Sequence, residues 1–234
     1  MKGRSILAMM LMTEISFLAV CASQLMGDEI KRKQSGSNLD RNRYFSSFRL
    51  MLRSQFGKAE GERIWDEAGK EYDRLMTEIE DEKSRKEIII PGAALYKAIE
   101  ASHPNEAVYM LKAYGASYGI RIAEAVSRMT KVPGVPELIW SNINRIIDRA
   151  SSEKAGYVRR LVGDENGRIG VDILVCPYLE LAGKTGVPQA CLPLCAMDRE
   201  YMKGFRHIKY TRTKSLAEGD GYCNYRLRYD ASKK

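Results

Sequence analysis

The chain has 234 residues, 44% of them hydrophobic and 29% charged, which is the balance of an ordinary soluble globular protein. No apolar run approaches the roughly 20 residues that cross a bilayer, so we predict no membrane span. The net charge of +8 favours anionic partners, but acidic residues alternate with the basic ones and only Lys31–Lys33 forms a basic run. We therefore predict no nucleic-acid partner. The two histidines, His103 and His207, are too few for a histidine-rich metal centre.

The cysteine count points to a reducing compartment. Five cysteines are an odd number, and a chain of this size does not need disulfides to hold a core. We predict a cytoplasmic protein with free thiols. The alternative is export or lipid anchoring through residues 1–21, where an apolar run after two basic residues leads to Cys21. Glu14 interrupts that run, and Val20 is bulky where a cleavage site requires a small residue.

The chain divides by composition. Residues 1–38 are predicted to form an N-terminal amphipathic helix and a flexible joint, and residues 39–234 a single domain. Within that domain, residues 39–150 have helical periodicity, and residues 151–234 contain sheet patterns and the cysteine cluster.

The first part of the domain is predicted to be helical throughout. Aromatic and aliphatic residues recur at three and four residues from Arg41 to about Arg85, with an interruption at Gly57. The run Ile88–Ile90 before Pro91 fits a short strand or a buried helix equally well. Further helices are predicted from Pro104, with Ser102 or His103 as the cap, and over 137–150, after a break at Val132–Pro136.

The second part reads as two hairpins with helices between them. Alternating residues flank a Gly/Asp/Asn turn at 163–167 and a second turn at 218–221, the usual signal of a hairpin. A short helix is predicted over 178–182 and a longer one over 189–204. The predicted fold class is therefore α+β, with an N-terminal helical part followed by an antiparallel sheet of two hairpins packed with helices.

Four of the five cysteines lie between residues 176 and 229. Cys191 and Cys195 are four residues apart and share one face of the predicted helix, and Asp198 follows one turn later. Cys176 comes directly after a predicted strand, and Cys223 begins the last one. These positions allow the strand end at Cys176, the helix face with Cys191 and Cys195, and the hairpin with Cys223 to converge on one pocket.

Three roles for these thiols remain open on residue chemistry alone. In the first role, one thiolate acts as a nucleophile and Asp198 or Asp220 acts as the general acid or base. A nearby arginine then lowers the thiol pKa or holds a substrate carboxylate. Alternatively, a metal is bound by Cys176, Cys191, Cys195 and Cys223, although Cys-x3-Cys matches the usual zinc and iron–sulfur spacings poorly. In the third role, the cysteines only pack as small hydrophobes.

The order of motifs in the last sixty residues resembles the L-2-amino-thiazoline-4-carboxylic acid hydrolase family. The matching residues are Cys176-Pro177, Cys195 with Asp198, Thr211 and Thr213, Leu216-Ala217, Gly219-Asp220, and Cys223 with Tyr225. Tyr225 stands where phenylalanine is expected and Asn224 where aspartate is usual, and the first forty residues match nothing in the family.

The resemblance implies a cytoplasmic bacterial hydrolase that opens a cyclic amidine or isothiourea carrying a carboxylate and yields an N-carbamoyl amino acid. It implies no cofactor. The catalytic candidates are Cys195, Asp198, Asp220 and Cys223, with Cys195 or Cys223 as nucleophile, and the substrate-binding candidates are Cys176, Thr213 and Arg212, with Arg212 as the carboxylate holder. The segment also resembles, more distantly, vinyl-reductase-type small-molecule-binding domains. The alternative function is therefore a cysteine-rich sensor module that binds a small molecule or metal without turnover. The sequence leaves the oligomeric state open.

Overall fold

The computed structural model describes residues 38–163 and 168–233, so the predicted helix and joint over 1–38 lie almost entirely outside the described residues. The helices are α1 Phe48–Phe56, α2 Lys58–Glu78, α3 Lys83–Glu100, α4 Glu106–Met129, α5 Val135–Ser141, α6 Ile143–Ala150, α7 Pro177–Lys184 and α8 Leu192–Tyr201. The strands are β1 Val158–Gly163, β2 Arg168–Val175, β3 Ile208–Thr211 and β4 Cys223–Tyr229. The predicted α+β class is confirmed.

The first helices follow the predicted pattern. Gly57 separates α1 from α2 with a φ of +82°, a backbone conformation that favours glycine. The aromatic and aliphatic stripe on both helices is buried, including Phe48, Leu52 and Trp65. The stripe therefore belongs to the core.

The ambiguous run before Pro91 is helical. Ile89 and Ile90 are fully buried in α3, and Pro91 lies inside the same helix. Because proline has no N–H, it cannot donate to the carbonyl of Glu87 four residues earlier. The Asn42 side chain donates to that carbonyl instead, at 2.9 Å, so α3 continues through the proline.

Two predicted helix boundaries differ from the structure. Helix α4 begins at Glu106, after Asn105, rather than at Pro104 with Ser102 or His103 as its cap. Asn105 takes a φ of +74°, which asparagine tolerates better than most residues, and its N–H donates to Glu100. The single helix predicted over 137–150 is two helices, α5 and α6, which meet at Asn142.

The sheet has the order β1-β2-β4-β3, with every neighbouring pair antiparallel. Both predicted hairpins are present, and β2 joins them by pairing with β4, for example Val171 opposite Tyr225. Alternate residues of β2, β3 and β4 face the helices, as a period of two requires. The inner-face residues are Val171, Ile173, Ile208, Tyr210, Tyr225 and Leu227.

Helix α8 packs closely on α4. The helix predicted over 189–204 is α8 with a 3-10 turn at each end, Pro188–Cys191 and Met202–Gly204. Its contact with α4 depends on Gly115 and Gly119, because a β-carbon at Gly115 would lie 2.6 Å from Pro193 Cα. This close packing brings α8 against the inner side of the molecule, beside the sheet.

None of the described helices is long and apolar enough to cross a membrane.

Candidate active site

Three thiols meet where β2, α7 and α8 come together. Cys176 is the residue before α7, Cys191 closes the turn before α8, and Cys195 lies in the first half of α8. Hydrogen bonds join the Cys191 thiol to both Cys176 and Cys195. All four described cysteines in this region are free, with Cys191 buried and Cys176 and Cys195 partly buried.

Of the three thiols, Cys191 donates the hydrogen bonds, and Cys176 and Cys195 accept them. The hydrogen bond from Cys191 lowers the pKa of Cys195, and the nearby positive charge of Arg212 lowers it further against the effect of burial. The same thiol lowers the pKa of Cys176, with help from backbone N–H groups at the start of α7. The pKa of Cys191 itself is raised well above its ordinary value, because it supplies those hydrogen bonds. Since the thiolate is the more reactive form of cysteine, Cys195 and Cys176 are the more reactive thiols of the three.

An acid, a phenol and a guanidinium form a buried group beside Cys195. The Tyr225 hydroxyl donates to Asp198 Oδ2 at 3.2 Å, and Arg212 Nη1 donates to the Tyr225 hydroxyl at 2.8 Å. Arg212 Nη2 donates to the Cys195 carbonyl at 2.6 Å, and Nη1 lies 3.9 Å from Asp198 Oδ2. The Arg212 side chain has no exposed surface. It does not line the cavity beside Asp198, and in this structure it orders Tyr225 and the α8 backbone.

Burial raises the pKa of Asp198 to about 6, against the opposing effects of Arg212 and Tyr225. A carboxyl group with such a pKa exchanges a proton readily near neutral pH, which suits general acid–base catalysis. Asp198 also keeps 24% of its side-chain surface exposed, and it lines a cavity.

That cavity has a volume of about 700 Å³ and lies between α4 and α8 on one side and the inner face of the sheet with α5 and α6 on the other. Aliphatic side chains are the largest group on its walls, and tyrosines are the second largest. The isoleucines, leucines, valines and methionines are Ile88, Val126, Ile122, Met129, Ile139, Ile143, Ile146, Ile147, Val171, Ile173, Leu194, Met197, Met202, Ile208 and Leu227. The tyrosines are Tyr44, Tyr114, Tyr118, Tyr157, Tyr178, Tyr201, Tyr210 and Tyr225.

Two of these tyrosines have unmet polar groups. The hydroxyl oxygens of Tyr118 and Tyr210 are buried and have no hydrogen-bond partner among the described residues. Burial raises the pKa of Tyr118 to about 12, so its phenol is neutral and able to donate. A buried polar group without a partner costs about 1–3 kcal/mol, and a polar ligand atom is one way to supply the partner.

Of the remaining predicted residues, Thr213 and Asp220 lie in the segment between β3 and β4, and Cys223 is the first residue of β4; none of the three lines the cavity. Asp220 is exposed and its Oδ2 accepts from the Ser215 N–H at 2.7 Å. The Cys223 sulfur accepts from the Leu216 N–H at 3.2 Å, and burial raises the pKa of its thiol. The Thr213 hydroxyl accepts from the Asn224 side chain, whose oxygen also accepts from the Thr213 N–H. In this structure Thr213 and Asp220 fix the shape of the segment. Cys223 lies opposite Ile173 on the inner face of the sheet, and the charges of Cys195, Arg212 and Cys176 act on the pKa of its thiol, so it lies near the thiol cluster and Arg212.

Sequence reasoning missed the phenolic partners. Tyr225 appeared only as a departure from the family motif, although its hydroxyl bridges Arg212 and Asp198. Tyr210 lies beside it on the inner face, with ring centroids 6.0 Å apart. The sequence did contain a pattern that predicts this position. Residues alternate between the two faces along β3 and β4, which places Tyr210 and Tyr225 on the face with the apolar residues.

In the part of the chain that the structure describes, no group of three or more His, Cys, Asp or Glu side chains is arranged to hold a metal ion. The metal site predicted as an alternative at the four cysteines stays a prediction.

Replacing Asp198 with asparagine is expected to stabilise the protein at alkaline pH. The unfolded carboxyl titrates near 3.8 and the folded one near 6, so the folded state binds more protons between these values and stability falls as pH rises through them. Asp198→Asn removes this penalty. In urea denaturation we expect the free energy of unfolding to rise by about 3 kcal/mol at pH 8, with the gain shrinking toward zero near pH 4.

The matched control is Asp172→Asn on the outer face of the sheet. Burial raises the pKa of Asp172, but hydrogen bonds from Arg160 and Arg226 outweigh burial and hold it below the ordinary value. Its contribution to stability is therefore present at neutral pH and lost in acid. Asp172→Asn is expected to destabilise at pH 8, with a difference that shrinks in acid. Equal pH slopes for the two variants would contradict the assignment.

Fold and site together describe an α+β protein with a cysteine cluster and an acid–phenol–guanidinium group beside an internal cavity. The chain belongs to the L-2-amino-thiazoline-4-carboxylic acid hydrolase family, whose model matches residues 81–227, more than half of its length. The resemblance drawn from the C-terminal motif is thereby confirmed. No curated protein matches the chain.

Solved structures give only a weak likeness. The Fe(II) unliganded H-NOX protein from K. algicida is 9% identical over 81% of this chain and 96% of its own, with a TM-score of 0.37. An H-NOX protein from S. oneidensis in the Fe(II)NO ligation state is 12% identical over 80% of this chain and 97% of its own, with a TM-score of 0.34. At such scores these likenesses carry no inference about the ligand of this chain.

Proposed function

We propose that this protein is a hydrolase that opens a cyclic amidine or isothiourea, such as L-2-amino-thiazoline-4-carboxylate, to an N-carbamoyl amino acid. Membership of the family supports hydrolysis as the reaction class. The observation that carries the proposal is the position of Asp198, which lies on the cavity wall three residues after Cys195 and in hydrogen-bond contact with Tyr225.

Asp198 suits the amidine group. An amidinium presents two N–H donors around a positively charged carbon, and a carboxylate in a poorly solvated site is its natural partner. Glu82, the other acidic residue on the described cavity wall, has a mostly exposed side chain. Asp198 therefore orients the ring. Cys195 lies one helical turn earlier on α8 and does not line the cavity, so a covalent route requires its thiolate to move toward the ring carbon.

In the covalent route, the Cys195 thiolate attacks the carbon between the two ring heteroatoms. The carbon–sulfur bond of the ring breaks, and the departing thiolate takes the proton that Asp198 has acquired from the amidinium. Water then adds to the same carbon, Asp198 accepts its proton, and the Cys195 sulfur leaves as thiolate. The net change is the addition of one water, which yields a carbamoyl group and a free substrate thiol.

In the direct route, Asp198 activates water for attack on the same carbon without a covalent intermediate. The substrate, proton acceptor and product are unchanged. In both routes Arg212 acts through its neighbours, because it fixes Tyr225 and supports the negative charge at Cys195 and Asp198. Neither route requires a cofactor. The free thiols support a reducing compartment, and we propose the bacterial cytoplasm as the location.

The test is turnover of L-2-amino-thiazoline-4-carboxylate and related cyclic amidines by the full chain, followed by mass spectrometry. We expect Asp198→Asn to reduce kcat/KM about 100-fold, the usual size of an acid–base contribution. Quenching during turnover should reveal an adduct on the peptide that contains Cys195, and Cys195→Ser should lose it.

Cys223→Ser is the matched control, because a serine hydroxyl retains an acceptor for the Leu216 N–H. Retained activity is expected. Loss of activity in Cys223→Ser with full activity in Cys195→Ser would transfer the nucleophile to Cys223. Activity in Cys195→Ser together with inactivity in Asp198→Asn would select direct water attack.

A second candidate is a binding module without turnover, and the predominance of apolar groups on the cavity wall favours it. The same screen separates the two functions. If every cyclic amidine binds by calorimetry and none is converted, the hydrolase proposal is wrong.

A further inference from the structure

We propose that the ligand of the cavity carries a large apolar group attached to its polar ring, so that the natural substrate is bigger than L-2-amino-thiazoline-4-carboxylate. This inference rests on the proposed function for the ring itself and extends it to the substrate class.

The volume is the first support. At about 700 Å³ the cavity lies within the range of about 300–1,000 Å³ that encloses drug-sized ligands. A liquid water molecule takes up about 30 Å³, so the space equals on the order of 20 waters. A single five-membered ring with an amine and a carboxylate would occupy a small part of it and leave the rest to water.

The walls are the second support. Helices α5 and α6 contribute Ile139, Ile143, Ile146 and Ile147, and the inner face of β2 contributes Val171 and Ile173. Such walls give water few hydrogen bonds, so an apolar group that displaces it gains free energy in proportion to its area. A ligand without such a group forgoes this gain.

The polar groups set the orientation. Asp198, Tyr225 and Tyr210 lie together, since the Asp198 charge acts on the pKa of both phenols. The unpartnered Tyr210 hydroxyl belongs to this group. A ring bound there directs its substituent toward Ile139 of α5 and the isoleucines of α6. The polar wall residue of these two helices is Arg149, which is exposed near the end of α6.

Access is available at the start of α3 and the end of α6. Glu82, Arg149 and Ala150 line the cavity and are exposed, so the space reaches the surface between these helices. A long ligand therefore has a route to the interior that does not require the sheet to open.

The experiment compares L-2-amino-thiazoline-4-carboxylate with its 2-methylamino, 2-butylamino and 2-octylamino derivatives. Each buried methylene is expected to raise kcat/KM about fourfold until the cavity is filled. Displacement of the fluorescent probe N-phenyl-1-naphthylamine by the same compounds measures binding without turnover, and its dissociation constants should improve by the same steps.

Ile143→Phe fills part of the wall, and Ile120→Phe on the exposed side of α4 is its matched control. We expect Ile143→Phe to cut the butyl-to-methyl ratio of kcat/KM at least tenfold, while Ile120→Phe keeps the wild-type ratio. Equal melting temperatures for the two variants confirm that both fold.

The outcomes separate this inference from the proposed function. If the parent compound is hydrolysed and chain length changes neither kcat/KM nor binding, the inference is wrong and the hydrolase stands. If no compound is hydrolysed but binding improves with chain length and fails in Ile143→Phe, the inference stands and the hydrolase is wrong.

Discussion

Arg212→Met is expected to destabilise the fold by about 4 kcal/mol at pH 8, because removing one partner of a buried charged group leaves the others uncompensated. The substitution deprives the Tyr225 hydroxyl and the Cys195 carbonyl of their guanidinium donors. It also leaves the Asp198 carboxylate without the cation that lies 3.9 Å away. The loss should be smaller at pH 5, where Asp198, with a pKa of about 6, binds a proton. Urea denaturation at both pH values measures the effect.

A double-mutant cycle isolates the interaction with Asp198. Adding Asp198→Asn to Arg212→Met should recover more free energy of unfolding than Asp198→Asn gains in the wild type, since the neutral amide no longer needs the cation. Arg226→Met is the control on the outer face, where Arg160 continues to pair with Asp172. Arg226→Met should lower the free energy of unfolding by clearly less than Arg212→Met does. Additive effects at pH 8 for Arg212→Met and Asp198→Asn would show that the two groups do not interact.

Gly115→Ala is expected to destabilise the protein by about 3 kcal/mol, at the upper end of overpacking costs. The added β-carbon would overlap the backbone carbonyl of Pro193 and lie 2.6 Å from Pro193 Cα. Both groups are backbone, so neither can rotate away, and α8 must shift from α4. Because α8 carries Cys195 and Asp198, turnover should fall along with thermal stability.

The control is Gly183→Ala in α7, where an added β-carbon meets nothing within 4 Å. Alanine is the better helix former, so this variant should gain up to about 1 kcal/mol. Calorimetric melting of the two variants is the measurement. A Gly115→Ala protein that melts with the wild type would mean that α4 and α8 separate without cost.

Much of the fold follows from local pattern. The alternation in the two hairpins and the three-and-four spacing of the first helices are local signals, and both predictions are confirmed. The continuation of α3 through Pro91 was not predictable, because the hydrogen bond to the Glu87 carbonyl comes from Asn42, which is 45 residues from Glu87 along the chain. The division of 137–150 into two helices was also missed, since Asn142 is only a weak breaker of helices.

The candidate site was also predictable from the sequence only in part. Helical spacing brought Cys195 and Asp198 to one face, and the structure places them near each other. The partnership of Asp198 with Tyr225 and Arg212 depends on strand register and on packing between distant segments, which no local pattern reports. The cavity is less predictable still, because a volume is a property of all the elements around it.

The pairing of β2 with β4 has a consequence for how the site is assembled. This pairing joins residues that are far apart along the chain, since Asp172 and Arg226 are separated by 54 residues. The segment between them contains α7, α8 and the three clustered thiols. Opening of the C-terminal hairpin would take Arg212 and Tyr225 away from Asp198 while the helical core stays closed. Amide hydrogen exchange in β4 should therefore report the lifetime of the assembled site, and a ligand that contacts both Asp198 and Tyr225 should slow that exchange.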